Sequence, residues 1–296
     1  MQRRDLFRIS TATALAAALP GPAAAGRPAP AEPLRPPAEG PIPVAFVLSA
    51  GAVVIDFAGP WEVFDNASVP GRGEGPAFQL YTVAETLAPI RASGGMTVVP
   101  DFTFDTAPAA RVVVIPAQGP PTEALLGWIR KAARTADLTM SVCTGAFVLA
   151  KTGLLAGRSA TTHHGSYSTF AMQFPDISLR RGARFVETGN LASSGGLSSG
   201  IDLALRVVER YFGRAVALNT ADALEYQGQG WLDPDANRAY AKPRRLAAAQ
   251  ALCPVCEMVV DKAGAPASAW RGRTYHFCMT DHKKVFDANP GAFSGR

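Results

Sequence analysis

Residues 138–150 have the sequence LTMSVCTGAFVLA, in which a strand pattern passes directly into a helix pattern. Its first residues predict a buried strand, and the small and apolar residues from Thr144 to Ala150 predict a helix. A strand that passes directly into a helix projects one side chain, here Cys143, from the edge of the sheet, while Gly145 lets the new helix pass close by. Open parallel sheets carry their chemistry at the carboxyl ends of their strands, so Cys143 is the first candidate for a functional residue.

The predicted position of Cys143 also bears on its chemistry. The dipole and the free amide groups of a helix N-terminus lower the pKa of a thiol, and we therefore expect a thiolate at Cys143. A buried and inert cysteine is the alternative, because free cysteine is among the most buried residue types.

Short apolar runs alternate with amphipathic stretches on both sides of this segment. Strands are predicted at residues 44–48, 78–83, 112–115, 138–142 and 183–187, and helices at residues 57–67, 122–133, 144–150, 199–212 and 214–226. Strands that alternate with helices predict an α/β fold, in which a mostly parallel sheet is covered by helices on both faces.

Charge is distributed unevenly along the 296 residues. The net charge is +5, but residues 41–237 carry 14 Lys and Arg against 17 Asp and Glu, so the positive charge belongs to the two ends. A domain that binds nucleic acid concentrates Lys and Arg on one face. The mildly acidic central block is therefore not expected to bind nucleic acid.

The N-terminus has the features of an export signal. Arg3 and Arg4 precede an apolar run from Ile9 to Leu19 and three alanines that end at Ala25. This pattern resembles a twin-arginine signal, so we expect residues 1–25 to be cleaved and the protein to be periplasmic or secreted; a basic disordered leader is the alternative. The run is about half the roughly 20 residues that span a bilayer, and no later segment is long enough, so stable membrane insertion is not expected.

Four separated motifs carry a family resemblance. They are VIDFAGPWEVF at 54–64, SVCTGA at 141–146, LLAGRSATTH at 154–163 and SGGLSSGID at 194–202. Together they resemble the ThiJ/PfpI superfamily, whose fold is that of class I glutamine amidotransferases, and within it the isonitrile hydratase branch and the sensor domains of AraC-like regulators. The resemblance covers residues 42–227. It implies a flavodoxin-like α/β sandwich, often a homodimer, with the elbow cysteine in a pocket for a small-molecule substrate and no cofactor.

Two departures from that superfamily narrow the function. Thr144 stands where the protease branch has a histidine directly after its cysteine, which removes the base of a Cys-His peptidase. Amidotransferase chemistry needs a late His-Glu pair, and no histidine lies between His164 and His276. His163 and His164 follow a short predicted strand, but paired histidines in such places are more often structural or exposed, and we assign them no catalytic role.

The resemblance to isonitrile hydratases implies three functional residues, Asp56, Cys143 and Thr144. The Cys143 sulfur would attack the isonitrile carbon while Asp56 supplies a proton, and Asp56 would then activate the water that releases an N-substituted formamide. Thr144 and nearby amides would hold the polar intermediate. Asp56 as a surface cap of the helix that follows it is the alternative.

Two further function classes fit the same fold. An elbow thiol beside an acid also suits a redox or reactive-carbonyl stress protein, and a domain that binds a small molecule without turning it over is the other. A transcriptional regulator is disfavoured, because about 26 residues between Tyr226 and Cys253 are too few for a helix-turn-helix pair and an exported protein meets no promoter.

The C-terminal residues 251–294 have the spacing of a small metal site. Cys253 and Cys256 form a Cys-x2-Cys pair, and after 21 intervening residues Cys278 and His282 form a Cys-x3-His pair. This stretch resembles a YHS domain, which implies a small α+β module whose four side chains bind zinc or copper. A disulfide in the Cys-x2-Cys pair is the alternative.

The remaining segments are predicted to connect these units. Residues 26–41 are rich in proline and predict a tether, and residues 228–250 predict a linker or spacer. Met258 and Met279 lie beside the predicted ligands and favour copper slightly in a periplasmic protein, which raises the expectation of a metal-transfer partner.

Overall fold

The computed structural model describes residues 31–72, 75–241, 246–255 and 258–293. The predicted twin-arginine signal at residues 1–25 and the predicted ligand Cys256 lie outside these ranges. Within the described ranges, none of the helices combines the length and the apolar composition needed to cross a membrane.

The described residues form fifteen strands, seven α-helices and five short 3-10 helices. The strands are β1 Ile42–Val47, β2 Phe78–Ala84, β3 Ile90–Arg91, β4 Thr97–Val98, β5 Phe102–Thr103, β6 Val112–Ile115, β7 Leu138–Ser141, β8 Ser159–Ala160, β9 Ser178–Leu179, β10 Phe185–Thr188, β11 Leu191–Ser194, β12 Gln250–Leu252, β13 Val259–Asp261, β14 Ala267–Trp270 and β15 Arg273–His276. The helices are α1 Val54–Asp65, α2 Glu123–Ala132, α3 Gly145–Lys151, α4 Tyr167–Gln173, α5 Ser199–Phe212, α6 Arg214–Ala223 and α7 Thr280–Ala288.

Seven strands form the central sheet in the order β10-β11-β7-β6-β1-β2-β5. All neighbours in it are parallel except β10 and β11, which form an antiparallel pair at one edge. The predicted α/β fold with a mostly parallel sheet is therefore confirmed. The parallel arrangement brings the carboxyl ends of β1, β6, β7 and β11 to the same edge, where the motif residues follow them.

Helices bury both faces of this sheet. On β1, Val44 and Phe46 belong to one hydrophobic core and Ala45 and Val47 to the other, as the two-residue period of a strand requires. The first core is completed by α1, α5 and α6, and the second by α2, α3 and α4. Strands covered on both faces explain the continuous apolar runs in the sequence.

Two segments predicted as connectors lie against the main domain. The Leu34 amide donates to the Arg210 carbonyl and the Arg210 guanidinium donates to the Glu32 carbonyl, which fixes part of the predicted tether. In the predicted linker 228–250, Trp231 is 3% exposed and joins the core beside α5. Burial of this large apolar side chain stabilises the packing of the segment against the main domain.

The C-terminal residues form a small α+β unit of β12 to β15 and α7. Its core consists of Cys253, Val255, Phe277, Phe286 and Phe293. The unit contacts α4, where Met172 packs against this core and the Thr169 hydroxyl donates to the Val255 carbonyl at 2.5 Å.

Candidate active site

Cys143 lies in the turn between β7 and α3 and has a φ angle of +58°. This left-handed conformation is strained for a residue with a side chain, and such strain persists only where the surroundings hold it. Both of its backbone groups are held. The Cys143 amide donates to the Gly195 carbonyl at 2.9 Å, and the Thr162 hydroxyl donates to the Cys143 carbonyl at 3.0 Å.

Gly145, which is two residues after Cys143, lets α3 begin in close contact with the end of β6. A Cβ atom at Gly145 would lie 2.2 Å from the Ile115 carbonyl oxygen and 2.8 Å from the Pro116 carbonyl carbon. No side chain fits there, as the sequence predicted. The helix begins at Gly145 with Thr144 at its N-cap, one residue later than expected.

Asp56 lies in the first turn of α1 and is fully buried. Its Oδ2 atom accepts a hydrogen bond from the Ala117 amide at 3.1 Å, and the Ala117 carbonyl accepts one from the Val53 amide at 2.8 Å. The N-cap of α1 is Val53, so Asp56 is not the exposed helix cap considered above. Its Oδ1 atom is buried without a partner of hydrogen-bond geometry among the described residues.

The Asp56 carboxyl and the Cys143 thiol face one another and shift each other's pKa. Burial raises the pKa of Asp56 to about 6, while the Ala117 amide and the thiol lower it in part. Burial, and then the charge of Asp56, raise the pKa of Cys143 to about 12. The expected thiolate is therefore wrong for the resting protein. The thiol is 6% exposed, and the loss of solvation outweighs the amide groups near the sulfur.

Two backbone amides and one hydroxyl group also lie close to the sulfur. The Leu197 and Thr144 amides and the Thr144 hydroxyl lower the pKa of Cys143 in part, which places these donors against the sulfur. Leu197 has a φ angle of +44°, so it too adopts a strained left-handed conformation. Sequence reasoning found Thr144 but missed Leu197. Its signal was the Gly-Gly-Leu-Ser stretch, which marks a turn but does not show where an amide points.

His163 lies beside this turn. A Cβ atom at Gly196 would lie 2.3 Å from the His163 Cδ2 atom, so the ring packs directly on the Gly196 backbone. His163 Nδ1 accepts a hydrogen bond from the Gly165 amide at 3.1 Å. The His164 ring packs on His163 and stacks on Tyr240, with centroid distances of 4.3 and 4.7 Å. These contacts agree with a structural role for the histidine pair.

A second cluster of reactive side chains lies in the C-terminal unit. Ligand atoms of Cys253, Cys278 and His282 all lie within 4.8 Å of one another. His282 Nδ1 is 3.1 Å from the Cys278 sulfur and 3.6 Å from the Cys253 sulfur. Two thiols and an imidazole are a donor set that suits zinc or copper, so the side chains fit the expected metal. The structure thus brings together three of the four predicted ligands.

Comparisons with known proteins identify the family of the main domain. A sequence profile of the DJ-1/PfpI family matches residues 43–210. An isonitrile hydratase of Pseudomonas putida is 34% identical over 188 residues, which are 62% of this chain and 78% of that protein. The HTH-type transcriptional regulator CdhR of Pseudomonas aeruginosa is 28% identical over 60% of this chain and 53% of its own length.

Solved structures share the fold. A ThiJ/PfpI family protein from Pseudomonas syringae matches with a TM-score of 0.57 and 26% identity, over 64% of this chain and 77% of that one. DJ-1beta of Drosophila melanogaster matches with a TM-score of 0.55 and 19% identity, over 64% of this chain and all of that one. Because the family profile spans more than half of the sequence, and the matched region carries the strained cysteine elbow on a parallel sheet, this chain belongs to the DJ-1/PfpI family.

Proposed function

We propose that the main domain is a cysteine-dependent hydratase that adds water to an isonitrile and releases an N-substituted formamide. One observation carries the proposal: a buried carboxyl with a pKa near 6 faces a buried thiol, so the pair holds one mobile proton at neutral pH. The similarity to the isonitrile hydratase of Pseudomonas putida supports this chemistry.

The first half of the reaction uses that proton. Above pH 6 the pair consists of the Cys143 thiol and the Asp56 carboxylate. The sulfur attacks the terminal isonitrile carbon while Asp56 takes the thiol proton and delivers it to the same carbon. One S–C bond and one C–H bond form, and the product is a thioimidate. Since the proton passes through Asp56, no preformed thiolate is needed.

The second half returns the pair to its starting state. Asp56, again a carboxylate, takes a proton from water as the water oxygen attacks the thioimidate carbon, and it passes that proton to the nitrogen. The S–C bond then breaks, the carbon keeps its oxygen as a carbonyl, and the remaining hydroxyl proton returns to the sulfur. The Thr144 hydroxyl and the Thr144 and Leu197 amides, which face the sulfur, stabilise the departing negative charge.

A substrate panel tests the proposal. We expect the purified protein to convert alkyl or aryl isonitriles to formamides, detected by mass spectrometry, and Cys143→Ala to reduce turnover to background with an unchanged melting temperature. A parallel panel of reactive aldehydes addresses the carbonyl-stress alternative. Turnover of aldehydes alone, or isonitrile turnover that survives in Cys143→Ala, would contradict a hydratase built on this thiol.

We also propose that the C-terminal unit binds zinc or Cu(I) through Cys253, Cys278 and His282, with Cys256 as the fourth candidate ligand. Cys253 follows β12, Cys278 follows β15 and His282 lies on α7, so a bound ion would supply a cross-link between the parts of a small unit. Met258 and Met279 are 53% and 47% exposed. Thioethers are soft ligands that favour Cu(I), and their exposure favours transfer of the metal to a partner protein. We propose that this transfer takes place after export.

Removal of the metal should loosen this unit alone. We expect amide hydrogen exchange to speed up in residues 258–293 when a strong chelator is added, while β1, β6 and β7 stay protected. Cys278→Ser should bind substoichiometric metal and show the fast exchange without chelator. Cys143→Ala removes a thiol outside the cluster and should respond like the wild type. Equal metal content in all three proteins would contradict this ligand set.

A further inference from the structure

The Cys143 elbow is held by a residue from outside the main sheet. Thr162 follows β8, which pairs with β9 in a separate two-stranded sheet. The Thr162 side chain is fully buried, and its hydroxyl donates to the carbonyl of Cys143 at 3.0 Å. The same carbonyl also accepts a longer hydrogen bond from the Ala146 amide at 3.5 Å, so Thr162 supplies the shorter bond. Loss of a donor to a buried carbonyl is costly, and the Thr162 bond therefore favours one orientation of the peptide that follows the cysteine.

That peptide determines where the sulfur lies. The Cys143 amide is fixed to the Gly195 carbonyl and the Cys143 carbonyl to Thr162, so the two bonds hold the φ angle of +58° from both sides. Without the second bond, the peptide can relax toward a more populated conformation. Such a rotation would carry the sulfur away from Asp56 and from the Leu197 amide.

We infer that Thr162 is a positioning residue, whose hydroxyl holds the strained elbow so that the Cys143 sulfur faces the Asp56 carboxyl. In this role Thr162 acts through the carbonyl of Cys143. The inference rests on the proposed function for its effect on turnover, but the orientation of the sulfur can be measured without any substrate.

The neighbouring residue supplies a matched control. Thr161 is also fully buried, but its hydroxyl oxygen has no hydrogen-bond partner among the described residues. Thr161→Val and Thr162→Val therefore make the same chemical change at adjacent buried positions, and only the second removes a bond to the elbow. Thr162→Ser keeps the hydroxyl and should rescue the function.

The test measures alkylation of Cys143 by iodoacetamide between pH 4.5 and 9, followed on the Cys143 peptide by mass spectrometry. We expect the wild type, Thr161→Val and Thr162→Ser to show a rate that rises through pH 6, and Asp56→Asn to lack this inflection. Thr162→Val should lose the inflection as Asp56→Asn does. If it does not fold, Thr162→Ala, compared with Thr162→Ser, makes the same comparison.

Turnover provides the second measurement. On an isonitrile that the wild type converts, Thr162→Val should lower kcat by about ten- to a hundredfold with little change in KM, because a misplaced group slows the chemical step. A Thr162→Val protein that keeps the inflection at pH 6 would overturn the inference, even if its stability falls. If no isonitrile is converted, the hydratase proposal fails, while the alkylation profile still decides the role of Thr162.

Discussion

Asp56→Asn should lower kcat for isonitrile hydration by roughly 10²–10⁴-fold, the range typical of the loss of a general acid-base group. An amide cannot take the proton from the Cys143 thiol, and burial keeps that thiol neutral at pH 7. The variant therefore holds a thiol that has no acceptor for its proton. Turnover assays at saturating substrate measure the effect, and an activity within a factor of about five of the wild type would show that another group moves the proton.

The pH profile of the wild type follows from the same pair. Below pH 6 both Asp56 and Cys143 carry protons, and the carboxyl cannot act as a base. Activity should therefore rise as the pH increases through about 6 and stay constant up to pH 9, because the pKa of Cys143 lies near 12. The residual activity of Asp56→Asn should show no such rise near pH 6.

Asp56→Asn should make the protein more stable although it makes the protein less active. The folded protein holds the Asp56 proton more tightly than the unfolded chain, since the pKa is raised from 3.8 to about 6. The stability of the wild type therefore falls as the pH rises from about 4 to 7, because the unfolded state releases this proton at a lower pH than the folded state. Relative to the wild type, Asp56→Asn should gain about 2 to 3 kcal/mol of unfolding free energy over this interval, measured by urea denaturation.

Asp202 provides the control, because it is also fully buried in the first turn of its helix, α5. Its Oδ2 atom accepts a hydrogen bond from the Arg184 Nε at 2.6 Å, and its Oδ1 atom accepts one from the Trp231 amide at 2.9 Å. Asp202→Asn breaks a buried ion pair and should cost about 3 kcal/mol or more. It should leave the inflection near pH 6 in place. A loss of stability in Asp56→Asn that matches this one at every pH would contradict the raised pKa.

The sequence was most informative where its apolar pattern is strong, whether as a continuous run or as an amphipathic repeat. The prediction for β6 and for α5 agrees with the structure residue for residue, because one is a run of Val and Ile and the other a long amphipathic helix. The strand β11 was missed, since its sequence LASS has no apolar pattern and its burial comes from its neighbours in the sheet. The antiparallel direction of β10 was missed for the same reason. Strands β10 and β11 follow one another with no helix between them, and the prediction did not include the second of these strands.

The site was predictable in its side chains but not in its electrostatics. Cys143, Asp56 and Thr144 were named from motifs, and the structure brings them together. The direction of the pKa shift of Cys143 was wrong, because it depends on the depth of burial, which one sequence does not give. Leu197 and Thr162 were missed for a related reason: one contributes a backbone amide, and the other acts on a backbone carbonyl.

Gly145→Ala should be the most destabilising single substitution of a glycine in the main domain, at about 4 kcal/mol or more, or should prevent folding. The new Cβ would lie 2.2 Å from the Ile115 carbonyl oxygen, and the atoms that it meets are backbone atoms of β6 and of Pro116, which cannot rotate away. To make room, α3 must move out of contact with the central sheet, and the Cys143 elbow moves with it.

Gly127→Ala is the matched control, because it is the same substitution inside another helix, α2. A Cβ atom there would meet nothing within 4 Å, so alanine should stabilise the protein by about 0.5 to 1 kcal/mol through its better helix propensity. Urea denaturation of both variants measures the contrast. If Gly145→Ala folds with the stability of Gly127→Ala, α3 does not depend on its close approach to β6, and the elbow then needs another explanation for its strained cysteine.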